Sequence, residues 1–165
     1  MKNKLLMKTL ILGALVVSGA SPLGAQALLP ETVVTATRLS TPREEVASSV
    51  TVITRADIEA KQQRTVVDVL AAVPGLQVVQ SGGLGKQTSV FSRGSNSNHT
   101  LILIDGIEIS DSSTPNGAFN FAHLLTSDIE RVEVVRGPQS TLFGSDAIGA
   151  VVNITTTLGS GPAQY

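Results

Sequence analysis

A few groups of residues have the types and spacing from which chemistry could be built. The run GGLGK at residues 82–86 has the glycines and lysine of a phosphate loop, where main-chain N–H groups cradle phosphate oxygens. Gln87 stands where such a loop needs Ser or Thr for magnesium, and the four-residue glycine spacing is missing, so the run reads as a turn between strands. His99 and His123 each lack a second candidate ligand at metal spacing. Asp105, Glu108 and Asp111 in DGIEISD could offer oxygens to calcium, but without the dense alternation of a calcium loop. A tight Asp-Gly turn followed by solvated acids is the plainer reading. GSDAIG at residues 144–149 does not match the nucleophile elbow. With no activated nucleophile, acid–base pair or metal set, the chain is expected to be neither an enzyme nor the holder of a resident cofactor.

The elements that would position any site begin after a leader. MKNKLLMK carries three lysines and no acid and runs into the uncharged TLILGALVV, too short to span a bilayer, and then into small residues ending in Ala25-Gln26-Ala27. This predicts a signal peptide over residues 1–27. Without it nine basic residues face thirteen acidic ones, a net charge of about −4 that gives no reason to expect nucleic acid as a partner. There is no cysteine, so an exported chain must hold together by packing alone, and with four Phe, one Tyr and no Trp the core must be aliphatic.

Residues 28–48 are polar, contain Pro30 and Pro42, and show no apolar period, which predicts a flexible or extended connector. SVTVIT at 49–54 is a strand by its β-branched content. Thr54 and Asp57, then Thr65 and Asp68, have capping-box spacing and predict two short helices, the second closed by Pro74 and Gly75. Strands are expected at LQVVQ, TSVFS and TLILI, the last covered on both faces. A long polar loop over 110–120 is followed by an expected short helix around 124–128. In ERVEVV, Val132 and Val134 alternate with Arg131 and Glu133, predicting one solvated face, and a last strand is expected at 150–155. The sum is a small α+β domain with a mixed sheet and short helices.

Three ordered blocks carry a resemblance: TVVDVLAAVPGLQV at 65–78, FSRGSNSNHTLILIDGIEI at 91–109 and RVEVVRGPQSTLFGSDAIGAVVNITT at 131–156. Together they resemble the plug domain of TonB-dependent outer-membrane receptors, over roughly residues 31–156. ETVVTATR, SGGLGKQTSVFSRG and GSDAIGAVVNI look most like the vitamin B12 (cobalamin) transporter branch, while siderophore and haem receptors share the framework. The resemblance implies no enzyme. It implies a gating plug, placed at 49–156, for active uptake of a large scarce nutrient, with cobalamin or a metal chelate as the transported ligand.

Glu31, Thr32, Val33, Val34, Thr35 and Ala36 resemble the TonB box, the segment gripped in the periplasm by the energy-transducing protein TonB. The physical mode would be β-augmentation, an unpaired strand added to a partner's sheet edge. Arg93 in FSRG and Arg136 in VRGP fall where family plugs meet barrel glutamates, so the resemblance makes them latch residues against a barrel of about 22 strands. Ser92 stands where the family pattern usually has an aliphatic residue, implying one weakened barrel or core contact. Ligand would be met by two apical loops, through Ser81, Gly82, Leu84, Lys86 and Gln87 in one and Ser112 and Asn116 in the other.

Such a barrel needs more than about 200 residues in its strands alone, and ten residues follow Thr155. The tail over 157–165 does not fit the family pattern. The sequence is therefore expected to be the plug portion of a receptor in the outer membrane, as a fragment, truncated frame or split gene. The alternative is a freestanding periplasmic module that binds TonB or ligand.

Overall fold

The computed structural model describes residues 32–33, 41–42 and 49–158. The expected leader, Glu31, Val34, Thr35, Ala36 and residues 159–165 lie outside the described residues. From the N-terminus, β1 (Thr32–Val33) pairs antiparallel with β2 (Thr41–Pro42). β3 (Ser49–Thr54) leads into helices α1 (Arg55–Ala60) and α2 (Val66–Ala71). A hairpin follows, β4 (Leu76–Gln80) with β5 (Thr88–Ser92), then β6 (Thr100–Ile104) and β7 (Ile107–Ile109). β8 (Ile129–Arg136), α3 (Ser140–Phe143) and β9 (Ala150–Thr156) complete the order.

The main sheet has five strands in the order β3-β8-β9-β6-β7, mixed because β9 runs parallel to β6 and antiparallel to β8. Its two faces bury different sets of side chains, as period-two alternation requires. One face turns Ile53, Ile102, Val132, Val134, Val152 and Ile154 toward α1, α2 and the β4–β5 hairpin, which contribute Ile58, Val66, Val69, Leu70 and Val90. The other turns Val50, Val52, Leu101, Leu103, Val135 and Val151 toward Val33 and Ala147. The expected α+β class with a mixed sheet and short helices is the observed one.

Both helices start at the expected capping boxes. The Thr54 hydroxyl accepts from the Asp57 N–H, the Asp57 carboxylate accepts from the Thr54 N–H, and Thr65 with Asp68 repeats the arrangement. These bonds satisfy helix donors that have no partner inside so short a helix.

Four expectations change. Residues 124–126 are extended, because Val66 N–H donates to Leu124 O and Thr126 N–H to Arg64 O, which pairs the segment with the start of α2. The short helix lies earlier, a 3₁₀ turn over Phe121–His123 capped by Asn120. The Asp105-Gly106 turn does form, but it closes a hairpin whose second arm, β7, was not expected; both turn residues have positive φ, 51° and 81°. Finally, the Arg131–Glu133 face of β8 is covered: Glu133 is fully buried, because the β1 segment and residues 143–147 pack over that side.

Candidate functional site

The N-terminal strand departs from the expectation of an unpaired segment. Thr32 and Val33 pair with Pro42 and Thr41, and Val33 is fully buried among Val50, Val52, Leu101, Leu103, Val135 and Val151. Arg131 Nη1 donates to the Thr32 carbonyl at 3.3 Å. A valine that finds an apolar pocket gains burial worth about 1.5–3 kcal/mol, enough to hold a short strand that a polar connector would otherwise leave free.

Arg93 and Arg136 are brought together around two glycines. Arg93 N–H donates to Gly75 O at 3.2 Å, while the Arg136 side chain passes over Gly75 and its Nη1 donates to Pro74 O. Arg136 Nη2 donates to Thr51 Oγ1 at 2.9 Å, and the Arg93 guanidinium lies over Gly137. Gly75 and Gly137 have positive φ, 86° and 108°, a backbone conformation that residues with a Cβ rarely adopt, and each lies in ordinary contact with an arginine. Among the described residues no carboxylate pairs with either arginine, and Arg136 Nε is buried without an acceptor. Ser92, next to Arg93, is fully buried and donates to Gly149 O at 2.9 Å. It makes a hydrogen-bonded contact inside the domain.

The two expected ligand loops are joined through the segment between them. In the first, Ser81 N–H donates to Gln87 O and Lys86 N–H to Gly83 O; Gly82 has positive φ, and Leu84 is 94% exposed at the tip. Thr88 N–H, at the base, donates to Asn120 Oδ1 at 3.0 Å. In the second, Ser112 and Asn116 are exposed, and the Ser113 hydroxyl and N–H both donate to Asp111, holding its carboxyl below the usual range. A cavity of about 150 Å³ is lined by Ser110, Asn116, Asn98, Glu108 and Asp146, and by no residue of 81–87. A wider hollow of about 640 Å³ lies at the other end of the sheet, between α1 and residues 125–127, and holds none of the expected site residues.

Sequence reasoning missed Arg131, Glu133 and the pocket of Val33. Arg131 Nη2 lies 3.0 Å from Glu133 Oε1, beneath the N-terminal strand. The alternating R-V-E-V pattern is the signature of a half-solvated strand, and only the position of β1 reveals the cover.

Comparison with known proteins adds the following. The family model of the TonB-dependent receptor plug domain matches residues 42–151. The vitamin B12 transporter BtuB of Vibrio vulnificus (strain CMCP6) is 49% identical over 125 residues, 76% of this chain and 20% of that protein. The ferripyoverdine receptor of the outer membrane of Pseudomonas aeruginosa, bound to ferripyoverdine, matches with a TM-score of 0.65 at 27% identity, over 79% of this chain and 17% of the receptor. The alcaligin outer-membrane receptor FauA from Bordetella pertussis matches with a TM-score of 0.64 at 27% identity, over 78% and 21%. The chain spans about a fifth of the length of these relatives.

Proposed function

The chain belongs to the TonB-dependent receptor plug family, and from that membership we propose that it gates active uptake of a corrinoid, the vitamin B12 class, in an outer-membrane receptor. The carrying observation is the 49% identity to a vitamin B12 transporter, set against 27% to receptors of iron chelates that share the fold. In this reading residues 31–36 are the strand offered to TonB, loops 81–87 and 110–120 meet the ligand, and Arg93 with Arg136 meets carboxylates of a barrel wall. Support for the arginine role is chemical: among the described residues neither guanidinium pairs with a carboxylate, so both charges remain open to acidic groups of a wall packed against them.

Because Thr32 and Val33 are paired and packed, engagement by a partner strand requires their release first. Two experiments test the reading. Calorimetric titration with the C-terminal domain of TonB should show binding that is lost when residues 31–36 are deleted, with the melting transition kept; unchanged affinity refutes the box assignment. Exchanging this chain for the plug of a vitamin B12 receptor should preserve uptake of labelled cyanocobalamin in cells lacking their own receptor. Uptake of a ferric siderophore instead would favour the iron-chelate reading.

A further inference from the structure

The reading of residues 31–36 as a partner-binding strand leaves open what controls its availability, and the covered face of the sheet answers it. Arg131 is shared between two acceptors. Nη2 lies 3.0 Å from the buried Glu133 carboxylate, Nη1 donates to the Thr32 carbonyl, and Nε is buried with no partner. The bond to Thr32 occupies a main-chain acceptor of the very strand that a partner's sheet edge would need.

We propose that Arg131, oriented by Glu133, is a positioning residue that acts as a catch, holding the N-terminal strand against β8 and setting how often that strand is offered to TonB. The inference rests on the box assignment for its functional meaning, though not for its structural content. The catch is loose by construction. Its bond to Thr32 is long at 3.3 Å, and the side chain of Arg131 keeps 28% exposure, so on release water can reach the freed Nη1 and the unsatisfied Nε. Val33 supplies the apolar half of the grip and Arg131 the polar half. Opening therefore requires withdrawing Val33, breaking the Arg131 bond to Thr32 and giving up the pairing of β1 with β2, with the five-stranded sheet left whole.

The chain has no cysteine, so one introduced thiol reports on one position. In the full chain, Val33→Cys should react slowly with a thiol reagent, at a rate set by the open population. Adding Arg131→Met with Glu133→Gln, which removes the catch without stranding a buried charge, should raise that rate about tenfold, the factor one charge-assisted bond supplies. Leu84→Cys, on an exposed loop tip, should react fast and equally in both backgrounds. An unchanged rate at position 33 in a folded variant overturns the proposal. If the double variant does not fold, Arg131→Lys keeps a cation for Glu133 but gives up the fork that reaches both acceptors, and the same criterion applies. Titration with the TonB C-terminal domain separates the two ideas. Faster labelling with no TonB binding in any variant keeps the catch and removes the box assignment, whereas equal TonB binding with unchanged labelling does the reverse.

Discussion

Gly149 ties three segments together. Its N–H donates to His99 O, and its carbonyl accepts from both Gly137 N–H and the Ser92 hydroxyl. A Cβ there would lie 2.3 Å from Ser95 Oγ and 3.0 Å from His99 O, the second a backbone atom that cannot rotate away. Gly149→Ala should cost about 2 kcal/mol, read as a fall in Tm on the order of 10 °C. The two arginines should respond unequally in the isolated chain. Arg93 is exposed and Arg136 is bonded to Pro74 O and Thr51, so Arg93→Ala should change stability by less than about 0.5 kcal/mol and Arg136→Ala by about 1–3 kcal/mol in urea titrations. Asp105 offers a pH test. Its carboxyl is held below the usual range by the Thr156 N–H and then by the Thr156 hydroxyl. A depressed folded value means that its stabilisation is present above the ordinary carboxylate pKa of about 3.9 and is lost as pH falls through the folded value. The stability gap between the chain and Asp105→Asn should therefore close on acidification.

At the level of elements, α2 shows how a weak helix is made to hold. Six residues cannot sustain a helix alone, so the Thr65–Asp68 box and the burial of Val66, Val69 and Leu70 do so together. Thr65→Ala should cost about 1 kcal/mol and Leu70→Ala about 2–5 kcal/mol, distinguishable by chemical denaturation. Both helix starts were legible because a capping box is a local pattern of side chain and backbone three residues apart. β3, β4, β5 and β6 were legible by β-branched content and their turns. What escaped were features set by distant pairing: the 124–126 segment, drawn into extended form by Arg64 and Val66, and β7, too short for an alternation to register. Arg131 and Glu133 escaped for the same reason, since their burial depends on a strand almost a hundred residues earlier in the chain. The candidate residues Arg93 and Arg136 came from family resemblance, and nothing in their spacing would have foretold that they meet over Gly75 and Gly137.

For the molecule as a whole, the described residues cover the two faces of the sheet with different elements. Two helices and a hairpin pack one side, and among the described residues the other is met by β1 and the residues around Phe143 and Ala147. Amide exchange should follow this division, with β8 and β9 amides among the slowest and residues 81–87, whose turn is exposed, among the fastest; uniform protection would contradict it. The position of β9 has a consequence in time. It is the last of the strands among the described residues, yet it lies at the centre of the sheet, and β8 and β6 pair only with it between them. A chain that emerges from a ribosome or an export channel N-terminus first cannot close this sheet until residues 150–156 arrive. Until then the pairs β3 with β8 and β6 with β7 lack the strand that joins them, a state open to degradation and to threading alike. Closure of this sheet is thereby deferred to β9, and a chain stopped before Ala150 should be cleared by proteases.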